Sequence, residues 1–426
     1  MAETDRRGLS LSTASALAAE HYRAGMECFL RGQPGAADAF NAANEADPDF
    51  LEARVGAAFS ALYDGDVVGA GRALARARGN DERGRGQLAL VRALSQIDLT
   101  TAERVARAHL AQFPTDDVAR EAFGLLLFFL GRSDEIIEFY DWLAPHHGDD
   151  WGFGASWSFA CHEVGRLEQS HELGQAALAA RPDHVFATHS LAHVAYERGA
   201  HQEGAALVRA FLARHDAIAF QRRHLRWHLT LNLLAIGQAD EIPALWADTL
   251  SGPAARTSPG LVEDGAGLLW RWHLFAPGRW SLPWEELGPH ARSVADLPVI
   301  PLPAASAAIV LAALGDTEGL SSLVDTAASM ASAGLAVPAP VLAAVAEAAQ
   351  ASFSGQWDVV AGALGAVGDR LGQIGGSRAQ REVFEDALII GLLRSGQATQ
   401  AAGLLERRLG RRPSARDAEL LAATNR

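Results

Sequence analysis

The chain of 426 residues contains no lysine at all: its 37 basic residues are every one of them arginine. That absence removes internal Schiff-base chemistry, the Walker-type phosphate lysine and the kinase-type strand lysine together. What positive charge there is comes from guanidinium groups, which do not act as bases near neutrality. Cysteine is almost missing too, with Cys28 and Cys161 alone. Two thiols build no disulfide framework and no paired-thiolate metal motif, and they suit a reducing compartment. Strand signals are nearly absent, since no stretch sustains period-two alternation between hairpin dipeptides. No basic stripe interleaved with aromatics stands against the formal charge of −14, so nucleic acid is not an expected partner. The start, Met1 to Asp5, has no basic region before an apolar core, and the apolar run from Pro298 to Gly315 is broken by Pro298, Pro301 and Pro303. The expectation is a cytoplasmic protein with no membrane partner.

What is present is a rhythm. Helix-ending residues recur at Gly32, Gly65, Gly131, Gly165, Gly199 and Gly237, with Asp98 in the slot between the second and third, in steps of 33, 33, 33, 34, 34 and 38 residues. Glycine at each end suits the left-handed residue that stops one helix and turns into the next. Pro48, Pro114 and Pro182 fall about seventeen residues later and close the second helix of each pair. Two helices per 34 residues is the tetratricopeptide plan. The expected fold is therefore all-α: a tetratricopeptide-like helical-hairpin solenoid, regular over residues 1–250. An irregular insertion rich in tryptophan and proline follows over 251–304, then looser C-terminal helical repeats over 305–426 that pack on the array.

Of the 15 histidines, 11 lie between His146 and His228. His189 and His193 are four apart, as are His224 and His228, so each pair projects from one helical face. Counted from the turn glycines, His189, His193 and Glu197, with His224, Trp227 and His228 of the next unit, fall on or near the positions that face the inner groove. Two adjacent i, i+4 pairs could supply four nitrogens to zinc, iron or nickel, or act metal-free as acid or base groups. Glu197 lies about 12 Å of rise beyond His189, so it suits a base or an orienting group better than a shared ligand. No His-Glu-x-x-His motif is present, because position 190 is Ser190. His201 and His215 read as solvated.

Asp264 and Arg271, two turns apart, read as a salt bridge or a substrate clamp. Trp270, Trp272, Trp280 and Trp284 read first as loop packing and second as a lid. Ser377, Gln380 and Arg381 follow Gly375-Gly376 and read as a capping box, with anion binding at the helix start as a second use.

At these residues the chain resembles the family typified by tetratricopeptide repeat protein 38. The pieces are Leu11-Ser12-Thr13-Ala14-Ser15, Ala192-His193-Val194 with Glu197 beyond, His224-x-x-Trp227-His228, the Asp264–Arg271 segment and the Gly-Gly-Ser-x-Ala-Gln-Arg run at 375–381. They span nearly the whole chain in order. The resemblance implies an all-helical tetratricopeptide-like fold and brings no reaction with it. It points to His189, His193, Glu197, His224, His228, Asp264, Arg271, Ser377, Gln380 and Arg381. The family tends to have Glu-Met where this chain has Glu197-Arg198, which makes the groove rim more basic here.

Two functions follow. One is a His/Glu-lined concave pocket for a small molecule or short peptide, open to hydrolase or lyase chemistry through acid–base groups or a divalent metal. The other is a non-enzymatic scaffold that binds a partner protein's peptide in the groove. Histidine, tryptophan and glutamate at the groove positions, in place of the usual lysine, arginine and asparagine, favour the first.

Overall fold

Alanine and leucine dominate the chain and favour helix. In the computed structural model, which describes residues 3–79, 81–215, 220–249 and 260–424, they form helices throughout. Among the described residues the one strand-like feature is an isolated bridge between Thr4 and Ser10. The first ten helices are five antiparallel hairpins: α1 (Ala16–Arg31) with α2 (Ala36–Ala46), α3 (Leu51–Tyr63) with α4 (Val67–Leu74), α5 (Glu82–Ser95) with α6 (Leu99–Gln112), α7 (Asp117–Phe129) with α8 (Ser133–His147), and α9 (Trp151–Glu163) with α10 (Leu167–Ala180). There follow α11 (Val185–Glu197), α12 (His201–Arg214), α13 (Phe220–Ala235) and α14 (Ile242–Thr249). Then come α15 (Leu261–Phe275), α16 (Trp284–Ala295), α17 (Pro301–Ala313), α18 (Thr317–Ser332), α19 (Ala339–Phe353), α20 (Trp357–Ala366), α21 (Arg378–Arg394), α22 (Ala398–Arg411) and α23 (Ala415–Thr424).

This is the all-α, tetratricopeptide-like hairpin fold that the spacing predicts. Every turn glycine named above takes positive φ, as do Gly315, Gly355 and Gly396 in the later hairpins. The slot without glycine needs a one-residue correction. Asp98 is the N-cap of α6, its side chain accepting from the Thr101 amide, and the left-handed residue is Ile97 at φ 59°, alone among described non-glycine residues. Gly65 and Asp66 make the same pair before α4, so Ile97 stands where the neighbouring repeat has glycine.

The chain divides into two units. Unit one comprises Met1–Leu127, Ser133–Ser190 and Ala213–Arg222; unit two comprises Phe128–Arg132, Leu191–Leu212 and Arg223–Arg426. In unit one the N-terminal arm lies across the hairpins through charge. Arg6 donates to Asp117 and Asp150, and Arg83 donates to the Ser10 carbonyl, Asp5 and Asp116. Asp116 is fully buried, and although burial pushes its carboxyl up, Arg83 and His109 hold it well below the usual range. The first hairpin also reaches the end of the fifth, where Arg31 bonds Asp183 at 2.7 Å and Arg181 bonds Glu27 at 2.7 Å; in the second hairpin, Tyr63 of α3 meets Phe186 at the start of α11 edge-on at 6.2 Å.

Part of the Trp/Pro-rich segment, residues 251–259, lies outside the described residues; α15 and α16 occupy most of its remainder. The tryptophans pack. Trp270 is fully buried and donates to Ser352 Oγ at 3.1 Å, Trp272 meets Trp280 at 5.3 Å, and Trp284 meets Phe353 at 5.6 Å. Among the described residues no helix is long and apolar enough to cross a membrane.

Candidate functional site

Helix α11 carries Val185, Ala187, Leu191, Ala192 and Val194 around its histidines, so it is apolar on nearly every side and is buried as a whole. His193 is fully buried and His189 is 8% exposed. The same holds one helical pair later, where Leu225, Leu229 and Leu231 are buried on α13 together with His224 and His228. The inner-face assignment therefore needs correcting. These imidazoles do not line an open groove, because helix packing encloses them.

Within unit two the imidazoles of α11 and α13 meet. The His193 and His228 rings are 4.2 Å apart between centroids at 70°, and those of His224 and His228 are 4.8 Å apart at 81°. One nitrogen from each of His193, His224 and His228 lies within 4.8 Å of the others. His189, one turn before His193 in the sequence of α11, stacks on Phe159 with ring centroids 5.4 Å apart. Trp227 stacks on His224 at 5.2 Å, and the Arg271 guanidinium lies 5.9 Å from the Trp227 ring.

Asp264 on α15 organises one member of the cluster. Its Oδ1 lies 2.7 Å from His224 Nδ1, and its Oδ2 is 3.4 Å from Arg223 Nε. A carboxylate on Nδ1 fixes the tautomer and ring orientation and places the lone pair on Nε2. Metal-binding histidines commonly carry such a partner, and so do histidine bases. Three imidazoles, one of them held by a carboxylate, form a donor set that suits zinc, iron or nickel.

No family model matches the chain, and no curated protein matches it. Among solved structures it is similar to the TPR domain of P58(IPK), at 17% identity and a TM-score of 0.22, covering 89% of this chain and 99% of that one. It is also similar to the structure of Naa15/Naa10 bound to HypK-THB, at 12% identity and a TM-score of 0.25, covering 96% of this chain and 66% of that one.

The other residues singled out in the sequence lie elsewhere in the chemistry. Asp264 and Arg271 do not pair with each other, because seven residues of helix separate them by about 10 Å of rise. Arg271 instead donates to Asp386 at 3.3 Å and to the Ala379 carbonyl at 2.6 Å. Glu197 has an ion-pair contact with Arg378 Nη1 at 3.7 Å. Ser377 and Gln380 form the expected capping box of α21, and Arg381 donates to the Gly376 carbonyl. His201 is buried, contrary to the solvated reading, with Nδ1 3.0 Å from Asn232 Oδ1. Burial pushes the Cys161 thiol up to about 12, which takes it out of nucleophilic chemistry.

Sequence reasoning missed a buried charged assembly in unit two. Arg271, Arg408, Arg412 and Arg416 converge on Glu382, Asp386 and Asp417, all three carboxylates being 1% exposed or less. Its signal was the spacing of 408, 412 and 416, which places three arginines four residues apart on either side of Pro413.

Proposed function

We propose that this chain is a helical-repeat scaffold that binds a partner protein, consistent with its resemblance to the tetratricopeptide repeat protein 38 family. Since helix packing encloses the histidine positions of the expected groove, we place the anchor on the outer surface of unit one. The supporting observation is Trp142 on α8, which is 47% exposed beside a hollow of about 260 Å³. Phe123, Phe139 and Leu110 floor the hollow, and Arg107, Glu135 and Glu138 ring it. An exposed indole next to an apolar depression with a charged rim is the arrangement of a protein-binding hot spot, and it suits an amphipathic helix or short peptide. The test is photo-crosslinking from position 142, followed by titration of the purified partner against the full chain. Trp142→Ala should weaken that complex at least about tenfold. Unchanged affinity would remove Trp142 as the anchor and with it this reading.

The imidazole cluster supports a second reading: a small-ligand centre in which His193, His224 and His228 hold a divalent transition metal. Nitrogens within 4.8 Å of one another and the Asp264–His224 bond support it. Acid–base use of the same imidazoles, with Glu197 nearby on α11, belongs to this reading. Elemental analysis of protein purified without a histidine tag tests the metal. About one equivalent of zinc, iron or nickel, lost in the His193→Ala/His228→Ala variant, is the expected result. Metal-free protein that takes up none of the three on dialysis would refute it.

A further inference from the structure

A cavity of about 490 Å³ opens in unit two on residues that neither reading above requires. The ends of α11 and α13, the start of α12, the C-terminal half of α15 and the turn into α23 form its walls. Leu231, Leu234, Trp272 and Phe275 supply an apolar side, while Arg271, Arg412 and Arg416 supply a cationic one. This volume is within the usual range for small-molecule sites, about 300–1,000 Å³, and the mixture of an apolar body with a few convergent polar groups is also typical.

Charge decides what enters. The three carboxylates that hold these arginines, Glu382, Asp386 and Asp417, do not line the cavity, so the guanidinium groups stand between them and it. The one acid in the wall is Glu203, which is exposed. Counted with Arg408 and the partly exposed Arg411, five guanidinium groups face Glu382, Asp386, Asp417 and the partly exposed Glu385, and leave one positive charge over. Arg412 is 2% exposed, and its Nε is enclosed with no hydrogen-bond partner. An enclosed donor without an acceptor is costly, and an incoming anion would relieve that cost.

The neighbouring His201 adds an acceptor. Asn232 Nδ2 donates to the His228 carbonyl, which turns Asn232 Oδ1 to His201 and makes His201 Nδ1 the donor. Burial, outweighing the Asn232 bond, holds this imidazole below its ordinary value, so it is neutral at pH 7. We propose that this cavity binds a small organic anion, a carboxylate or phosphate monoester on an apolar body, with Arg412 and Arg416 on the head and Trp272 and Phe275 against the body.

The test is calorimetric titration of the full chain with phenylacetate, phenyl phosphate, inorganic phosphate and the neutral isostere phenylacetamide. One of the two organic anions should bind at least about tenfold more tightly than phenylacetamide and inorganic phosphate, and the tighter of the two names the head group. Arg412→Gln should lower that affinity at least about tenfold. This variant also removes a partner of Glu382, so Ala235→Trp is measured beside it; it fills the mouth from an exposed helical position outside the ion network. Loss of binding in Ala235→Trp with an unchanged melting curve supports the site. Phenylacetamide binding as well as phenylacetate, unaltered binding in Ala235→Trp, or no heat from either organic anion up to about 5 mM would overturn it.

Discussion

Arg408→Met isolates the worth of the buried ion network, because methionine keeps much of the side chain's length and removes only the charge and the donors. Arg408 is 2% exposed. Its Nε and Nη2 donate to the two oxygens of Asp417 at 2.9 Å each, and Nη1 contacts Asp386 Oδ1 at 2.9 Å. Removing one partner of a buried pair costs about 3–5 kcal/mol, because the carboxylate left behind stays desolvated. Here three other guanidinium groups remain. Arg416 lies 2.9 Å from Asp386 and 3.3 Å from Asp417, and Arg271 lies 3.3 Å from Asp386, which sets the expected loss near the lower end, about 3 kcal/mol.

For a cooperative unit of roughly 200 residues that loss lowers Tm by about 6–12 °C. Scanning calorimetry at several pH values supplies a second readout. Burial raises the Asp417 carboxyl, but Arg408 and Arg416 outweigh it and hold the group below its ordinary value. A depressed acid stabilises the fold above its unfolded value, near pH 4, and the contribution disappears as pH falls through the folded value. The gap between native chain and variant should therefore be widest near pH 7 and narrow below pH 4. A shift under about 2 °C, or a gap unchanged between pH 7 and 3, would show that the network carries little net energy.

Ile97→Gly should stabilise the chain by about 0.5–1 kcal/mol in urea unfolding, since a β-branched residue at φ 59° takes up a left-handed turn that glycine adopts without strain; a loss of stability would mean that its side-chain packing outweighs the strain. Burial pushes the half-buried Glu263 up to about 8, and its Oε2 is enclosed without a partner. The folded chain therefore keeps a proton that the unfolded chain releases above its own value, and stability falls as pH rises from about 4.5 to 8. Glu263→Gln should remove that fall, gaining about 1–3 kcal/mol at pH 8 and nothing at pH 4, as read from paired melting curves. Ser377→Ala should cost about 1 kcal/mol by breaking the capping box of α21, with Ser377→Thr close to neutral; equal losses in both would point to packing and away from the cap.

The hairpin plan was legible because its punctuation is local: a glycine at the end of nearly every first helix and a proline after several second helices fix the period without tertiary information. The same property explains the one-residue error at Asp98, where no glycine marks the turn and backbone conformation must be inferred from a neighbouring repeat. The i, i+4 histidine pairs were legible for a similar reason, since helical geometry alone puts His224 and His228 on one face. Their burial was not. Repeat position tells which way a side chain points, but what covers it depends on helices far along the chain. Asp264 lies 40 residues beyond His224, so no spacing rule links the two. The link predicted for Asp264 was Arg271, which is local and too far along the helix to reach.

The contacts of the first hairpin with residues 181–183 change what kind of folding unit five hairpins make. In an open repeat array each repeat touches only its neighbours, and stability accumulates along the chain almost like beads on a string. Here Arg31 reaches Asp183 and Glu27 reaches Arg181 across about 150 residues of sequence. Such closure adds entropy-costly long-range contacts that form only when the intervening repeats are in place, so unit one should fold in one step and more slowly than an open array of equal length. It also constrains evolution: a hairpin inserted or deleted between α2 and α10 would displace Asp183 from Arg31, so the number of repeats here is part of the structure and cannot drift freely.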